Sequence, residues 1–169
     1  MFDKRPQRRH DGVRVIVAGT AADTVRREKA RKIGADRVVN VDEEDVAEIV
    51  RDETGGRGVD LAFECAGVAS LARSCLGALR PLGTHVQVGI FGGDVEVPLD
   101  ATVYKQLVFK GTVGYTVKTW ERTMRILEQE RVRLDDLISH RMPLERWKEA
   151  FDLCTRGEGI KVLISARSD

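Results

Sequence analysis

The sequence predicts an α/β fold built on a doubly wound, parallel sheet. Over residues 13–90, short β-branched apolar runs alternate with helical patterns, and such alternation forms right-handed β-α-β units. The first run, residues 13–18, is mostly apolar, which is typical of a parallel strand covered on both faces. A chain of 169 residues, 42% of them apolar and 33% charged, can bury a core beneath a charged surface.

The elements of the first half follow from their caps and breakers. Strands are predicted at residues 13–18, 37–41, 59–65 and 84–90. The first helix begins with Asp23 or Thr24 as its N-cap, runs to about Lys32 and ends before Gly34. Asp42 is the expected cap of the second helix, which ends in the glycine-rich turn of residues 54–58.

The third helix has the clearest pattern in the chain. Its apolar residues recur at helical spacing and form one broad face: Val68, Leu71, Ala72, Cys75, Leu76 and Leu79. Pro81 and Gly83 break the pattern.

Beyond Gly93 the pattern becomes less regular. Alternating apolar residues predict a short strand at 95–99, interrupted by Pro98. Further strands are predicted at residues 107–113, 137–142 and 160–164, and helices at residues 120–127 and 147–154.

Charge and hydropathy exclude several classes of function. A formal net charge of +1 gives no field that would attract nucleic acid or an anionic membrane. Basic residues at 4–10 are interpreted as a solvated tail rather than a nucleic-acid arm. No apolar run approaches the roughly 20 residues that cross a bilayer, and no signal-peptide pattern opens the chain, so a cytoplasmic protein is expected.

The cysteines and histidines do not have the spacing of a metal site. Cys65, Cys75 and Cys154 are odd in number and lie far apart among apolar residues, which predicts buried free thiols. Histidines occur at positions 10, 85 and 140, and no combination with the cysteines has zinc-type spacing. The sequence therefore predicts no cluster of metal ligands.

Glycines mark the edge of the sheet where a ligand is expected. Parallel α/β sheets bind ligands beyond the carboxyl ends of their strands, and Gly19, Gly67 and Gly89 lie at or just past those ends. The alternative is that they serve only the turns. The sequence has no G-x-G-x-x-G phosphate loop, because Leu61 and Val162 occupy the third glycine position of the two nearest candidates.

Four segments carry a family resemblance: KIGADRVVNVDEED, TGGRGVDLAFECAG, LRPLGTHVQVGIFGG and ISHRMPLERWKEAFDLCTRGEGIKVLIS. In this order they resemble the zinc-type medium-chain alcohol dehydrogenases, in particular the sorbitol and threonine dehydrogenases. The resemblance covers residues 13–166 and corresponds to the C-terminal cofactor-binding domain of that family. It implies a Rossmann-like sheet and an oxidoreductase that uses NAD or NADP.

The resemblance also implies that parts of the family's architecture are missing. Family members hold a catalytic zinc with Cys, His and Glu or Asp in an N-terminal domain that this sequence does not match. The first strand of the cofactor domain and its glycine-rich turn are also unmatched. We therefore expect residues 1–12 to be a basic tail and residues 13–169 a truncated dinucleotide-binding domain whose sheet is incomplete at its N-terminus.

Such a chain is expected to bind NAD or NADP weakly or not at all, to hold no zinc, to contribute no catalytic residue and to be inactive alone. One alternative is a non-catalytic dimeric scaffold. Another is one chain of a split dehydrogenase, completed by a separate chain that carries the zinc domain.

The family's cofactor contacts can be placed on this sequence. Cys65, Ala66 and Gly67 match the turn beside the adenosine and its ribose; Val88, Gly89 and Ile90 match the segment along the nicotinamide ribose; and Thr112, Val113 and Gly114 match the backbone that meets the carboxamide. Lys161 matches a basic position near the pyrophosphate, although a solvated lysine is an equal alternative.

The end of the first strand bears on the choice of cofactor. The family's ribose-binding acid falls at about Ala21, and no acid occurs there before Asp23. Thr20 and Arg26 are near enough to contact a 2′-phosphate, which favours NADP over NAD. The alternative is that Arg26 is only a solvated helix residue.

The remaining polar residues are interpreted as structural. His140 lies in a segment where family members also carry a histidine away from the metal. Asp60 and Glu64 lie on one strand face about 13 Å apart, too far to share a proton, and Glu64 is expected to bond backbone at the strand end. Residues 95–112 resemble the family's edge-to-edge dimer contact, so a homodimer is expected, with neither nucleic acid nor membrane as partner.

Overall fold

The computed structural model describes residues 12–129, 132 and 134–166. These residues form seven strands: β1 (Ile16–Gly19), β2 (Arg37–Asn40), β3 (Val59–Glu64), β4 (Leu79–Gln87), β5 (Val108–Gly111), β6 (Ile138–Pro143) and β7 (Lys161–Ser165). They also form six α-helices: α1 (Thr24–Lys32), α2 (Val46–Thr54), α3 (Ala69–Ala78), α4 (Leu99–Tyr104), α5 (Val117–Glu128) and α6 (Trp147–Thr155). The tail predicted for residues 1–12 falls almost entirely outside the described ranges.

All pairs of neighbouring strands are parallel, which confirms the predicted α/β class. The described strands form three sheets, in the orders β1-β2, β3-β4-β5 and β6-β7. Within these residues β1 pairs with β2 alone and β3 pairs with β4 alone, so no described strand joins the first sheet to the second. The described residues divide into two compact units, one formed by residues 44–116 and the other by the described residues before and after them.

The unit of residues 44–116 contains the three-stranded sheet and helices α2, α3 and α4. Its core consists of Leu76, Leu79 and Leu107, with Val59, Ala62 and Val97 packed against them. The ammonium group of Lys105 donates to the carbonyls of Leu76, Gly77 and Leu79 at 3.1, 2.7 and 2.8 Å. A cation at this position satisfies the carbonyls that the end of α3 leaves without helical partners.

In the other unit, α1 packs on β1 and β2, and α6 packs on β6 and β7. Val38 and Val39 on β2 are buried, as is Ala30 on α1. Met142 on β6 and Ala150 on α6 are buried as well. The small residues Ala30 and Ala150 let each helix lie closely against its pair of strands.

The strand predicted for residues 95–99 is wrong. Leu99 begins α4, and Pro98 is the N-cap of that helix, with φ of −76°. Proline has no N–H to donate to a sheet, and its restricted φ is suited to the start of a helix. The alternation of apolar residues before Pro98 is therefore too short to form a strand.

The predicted cap of α2 is also wrong. Asp45 is the N-cap, and its carboxylate accepts a hydrogen bond from the Ala47 N–H at 2.8 Å. The carboxylate of Asp42 instead accepts from the Ala21 N–H at 2.6 Å. Several acidic residues precede this helix, and the turn that follows β2 decides which one reaches its first amides.

Candidate functional site

Three strand ends lie side by side in the unit of residues 44–116. Glu64, Gln87 and Gly111 end β3, β4 and β5, and they are register partners across the sheet. The predicted cofactor segments 65–67, 88–90 and 112–114 follow these ends directly. The Thr112 N–H donates to the Gln87 carbonyl at 3.1 Å. The structure therefore gathers nine predicted contact residues at one carboxyl edge, where parallel sheets bind ligands.

Glu64 holds the loops that follow β3 and β4. Its side chain is 1% exposed, and its carboxylate accepts from the N–H groups of Ala66, Gly67 and Val68 at 2.9, 2.9 and 3.4 Å. Its carbonyl accepts from the N–H groups of Val88 and Gly89 at 2.8 and 2.9 Å. The prediction that Glu64 bonds backbone at the strand end is confirmed. Because residues 88 and 89 turn towards Glu64, β4 ends at Gln87 and not at residue 90.

Two polar residues of β4 complete this buried cluster. The Gln87 amide donates to the Glu64 carboxylate and, at 2.8 Å, to the Gly89 carbonyl. Its oxygen lies 3.0 Å from Nε2 of His85, which is fully buried and stacks on Phe109 with 4.5 Å between ring centroids. Gln87 and His85 were not among the site residues predicted from the sequence. The sequence feature that could have indicated them is a pair of polar residues, two positions apart, inside an apolar strand pattern.

The pKa of Glu64 is lowered. Burial acts to raise it, but the N–H groups of Ala66 and Gly67, the Gln87 amide and the Val68 N–H together outweigh burial. The carboxylate is therefore ionised at neutral pH and occupies the N–H groups of residues 66–68, which precede the first helical residue of α3, Ala69. Those three N–H groups are not available to a phosphate.

The two glycines at this edge are required by the packing of the loops. Gly67 has a positive φ of 71°, and a Cβ there would overlap the carbonyl of Ile90. A Cβ on Gly89 would overlap the Gly67 N–H group and lie 2.6 Å from a carboxylate oxygen of Glu64. The loops thus touch through their backbones, which supports the turn interpretation of these glycines and still leaves them on the ligand edge.

Thr20 and Arg26 lie in the other unit and meet at Asp23. The Thr20 N–H and hydroxyl donate to Asp23 at 3.1 and 2.8 Å, and Nη1 of Arg26 donates to it at 2.8 Å. The hydrogen bonds from Thr20 and then from Arg26 lower the pKa of Asp23. Asp23 therefore places a negative charge beside both residues predicted to bind a 2′-phosphate.

Lys161, the last predicted contact residue, begins β7 in the same unit and is exposed. The Arg26 guanidinium reaches the segment before it, with Nη2 3.5 Å from the carbonyl of Gly159. The roles assigned to Thr20, Arg26 and Lys161 stay predictions.

The residues interpreted as structural have local partners. Asp60 pairs with Arg80 at 2.6 Å and Arg57 at 3.6 Å, apart from the buried cluster of Glu64. Nδ1 of His140 lies 3.0 Å from the Ser139 hydroxyl. Both contacts are compatible with structural roles.

The cysteines are free, as predicted, but their predicted burial is wrong in part. Cys65 and Cys154 are exposed and only Cys75 is partly buried, and burial raises the pKa of the Cys75 thiol to about 11. Apolar neighbours in sequence did not ensure burial, because Cys65 follows the end of β3 and Cys154 lies near the end of α6. Within the described ranges, no three His, Cys, Asp or Glu residues come together as metal ligands, and no helix is long and apolar enough to cross a membrane.

A parallel sheet with its loops gathered at the carboxyl edge defines a Rossmann-like α/β domain, the class that binds dinucleotides at such an edge. Residues 9–129 match the sequence model of the zinc-binding dehydrogenases, and the chain belongs to that family.

The chain is similar to complete dehydrogenases over part of their length. It is 30% identical to sorbitol dehydrogenase from Halalkalibacterium halodurans, over 92% of this chain and 46% of that protein. It is 35% identical to L-threonine 3-dehydrogenase from Pyrococcus horikoshii, over 82% of this chain and 40% of that protein. Its structure superposes on alcohol dehydrogenase TADH from Thermus sp. ATN1 with a TM-score of 0.82 and 27% identity, over 91% of this chain and 44% of that one. The chain thus spans less than half the length of these relatives.

Proposed function

We propose that this chain binds a nicotinamide dinucleotide and positions it for a zinc-type alcohol or polyol dehydrogenase reaction. The observation that carries the proposal is the alignment of residues 65–67, 88–90 and 112–114 at three adjacent strand ends. Membership in the zinc-binding dehydrogenase family supports it. When bound, the nicotinamide would supply hydride transfer, and these segments would hold it in place.

The chemistry of this edge suits the nucleoside parts of such a cofactor. The amides of residues 66–68, 88 and 89 are already bound by Glu64. Ile90 and Val113 are 79% and 87% exposed, and both follow strand ends. We assign residues 65–67 to the adenosine side, residues 88–90 to the nicotinamide ribose and residues 112–114 to the carboxamide.

The described residues do not fit a zinc ion, because they bring no three metal-ligating side chains together. We therefore assign no catalytic step to zinc in this chain. A protein consisting of these 169 residues should bind cofactor without oxidising alcohols by itself. Its cytoplasmic location stays a prediction. Alcohol oxidation that persists after metal removal and scales with the purified chain would contradict this assignment.

The test of the proposed function is a titration with NADH and with NADPH, followed by nicotinamide fluorescence. Saturable binding of either supports the proposal, and absence of binding up to millimolar concentration contradicts it. The preference for NADP predicted from Thr20 and Arg26 requires tighter binding of NADPH. Equal affinities would mean that Asp23 cancels the contribution of Arg26.

A matched pair of variants locates the site. Val113→Asp should weaken binding about tenfold, because a charge would have to be desolvated where the carboxamide binds. Leu144→Asp, at a side chain 51% exposed in the other unit, should leave the dissociation constant unchanged. Equal effects of both substitutions would refute the assignment of residues 112–114.

We also propose that the chain forms a homodimer through α4 and β5. Val103 and Tyr104 on α4 are 72% and 84% exposed, and Val108 on the edge strand β5 is 45% exposed. An apolar surface beside an unpaired strand edge favours self-association. The alternative partner is a separate chain that carries a zinc domain.

Light scattering at micromolar concentration should give the mass of a dimer for the wild type. Val108→Lys should give the mass of a monomer, because a charge on an edge strand opposes pairing. Leu144→Lys is the control and should remain dimeric. A monomeric wild type would refute the proposed interface.

A further inference from the structure

We propose that Glu64 is a positioning residue that sets the separation of the loops after β3 and β4, and thereby the affinity for the cofactor. Loop A is defined as residues 65–68 and loop B as residues 88–90. This inference rests on the proposed function, because it explains how this chain would shape that binding site. Its starting point is a buried carboxylate whose partners lie in both loops.

Glu64 acts on the loops with two different groups. Its carboxylate binds three consecutive N–H groups of loop A, and its carbonyl binds two consecutive N–H groups of loop B. These groups belong to a single buried residue in a strand, so both loops are tied to the same point of the sheet. Displacing either loop would leave an acceptor of the buried Glu64 without its donors, at a cost of about 1–3 kcal/mol for each lost partner.

The position requires a carboxylate and not merely a polar side chain. All groups around the Glu64 side chain are donors: the amides of loop A and the Gln87 side-chain amide. An ionised carboxylate has two acceptor oxygens and no donor. A glutamine would turn its own N–H groups towards other donors and would lose the charge that strengthens these bonds.

The Gln87 side chain connects loop B to the Glu64 carboxylate by hydrogen bonds. The Glu64 carboxylate and the Gly89 carbonyl are both acceptors, so both must face the amide nitrogen of Gln87. The amide oxygen therefore faces His85 and accepts its Nε2–H. His85 is held in turn by its stack on Phe109, its register partner on β5. The orientation of the Gln87 amide is thus determined from both ends.

The close approach of the loops makes their position sensitive to this cluster. Gly67 in loop A and Gly89 in loop B touch through their backbones, with no room for a Cβ on either. The backbone contact between Gly67 and Gly89 prevents the two loops from moving closer together. The hydrogen bonds to Glu64 prevent them from moving apart. Both loops carry residues proposed to contact the cofactor, so a change in their separation would misplace both sets of contacts.

Glu64→Gln in the 169-residue chain tests this proposal, with Asp60→Asn as the matched control. Asp60 is an exposed carboxylate on the same strand and contacts Arg57 and Arg80 rather than the loops. Two quantities are measured for each protein: hydrogen exchange of the amides of residues 66–68, 88 and 89, and the dissociation constant for NADH and NADPH. Circular dichroism selects a temperature at which both variants are folded.

Glu64→Gln should speed exchange of these five amides and raise the dissociation constant about tenfold, the effect of losing one charged hydrogen bond. Asp60→Asn should change neither quantity. Unchanged exchange in Glu64→Gln, or faster exchange with unchanged affinity, would overturn the positioning role. A wild-type chain that binds neither cofactor would instead refute the proposed function, so the two failures are distinguishable.

Gln87→Met provides a second variant in case Glu64→Gln does not fold. It removes the amide that ties Glu64 to Gly89, together with the acceptor of the His85 Nε2–H, and keeps the carboxylate with its loop A bonds. We expect faster exchange confined to loop B and a dissociation constant raised about threefold. Wild-type exchange and affinity in this variant would overturn the role of the cluster.

Discussion

The carboxylates of Asp23, after β1, and Glu64, at the end of β3, both accept hydrogen bonds from backbone N–H groups, but their surroundings differ. Asp23, just after β1, has a side chain 30% exposed and forms an ion pair with Arg26. Glu64, at the end of β3, is 1% exposed and binds amides from two loops. Solvent screens the charge of the Asp23 carboxylate, so this group acts mainly by neutralising the neighbouring Arg26. The Glu64 carboxylate must be satisfied by protein groups, so it determines the path of the backbone around it.

The largest expected effect comes from breaking the loop contact beside Glu64. Gly89→Ala would place a Cβ against Gly67 and the Glu64 carboxylate, and one of the loops would have to move. We expect a loss of about 3 kcal/mol or more in the free energy of unfolding, together with loss of cofactor binding. Urea denaturation and the cofactor titration measure the two effects.

Gly93→Ala is the control for this substitution. A Cβ on Gly93 meets no atom within 4 Å. The free energy of unfolding should therefore stay within about 0.5 kcal/mol of the wild type. Similar losses for both substitutions would show that the contact between Gly67 and Gly89 has no special importance.

Lowering the pH is expected to have an intermediate effect on the free energy of unfolding. The pKa of Glu64 is lowered in the folded state relative to about 4.3 in the unfolded chain, so its stabilisation is present above that value. It is lost as the pH falls through the lower, folded pKa. Urea unfolding of the wild type and Glu64→Gln should differ by about 2 kcal/mol at neutral pH, and this difference should shrink in acid.

The same acid titration sharpens the comparison of the two strand ends. Asp23→Asn should change the pH dependence of stability less than Glu64→Gln, because solvent screens the charge of Asp23. A difference between wild type and Glu64→Gln that stays constant with pH would show that the charge of Glu64 is not the stabilising feature.

The smallest effect is expected on cofactor choice at the other strand end. Asp23→Asn removes the ion pair of Arg26 and leaves its guanidinium available to a 2′-phosphate. The affinity for NADPH relative to NADH should rise roughly threefold to fivefold, the range of an exposed ion pair. Asp100→Asn on α4 is the control, and parallel fluorescence titrations measure both ratios. A ratio unchanged by Asp23→Asn would remove Arg26 from the choice of cofactor.

Much of the fold could be predicted because its signals are local. Every predicted helix is present, and each predicted strand except 95–99 appears with shifted ends. In α3, apolar residues at helical spacing define the buried face, from which Ala72 and Leu76 are buried. The error at residues 95–99 arose where the alternation was shortest and a proline interrupted it. Such short patterns are compatible with more than one backbone path.

The candidate site likewise has a part that could be predicted from the sequence and a part that could not. The order of elements along the chain predicted which loops follow the strand ends and indicated that Glu64 bonds backbone. Only the folded chain shows that Glu64 binds two loops and that Gln87 and His85 complete its cluster. It also shows that Asp23 lies between Thr20 and Arg26. The physical reason is that the partners of Glu64 in β4 and loop B lie more than twenty positions away along the chain, and only the pairing of β3 with β4 brings them within hydrogen-bond distance.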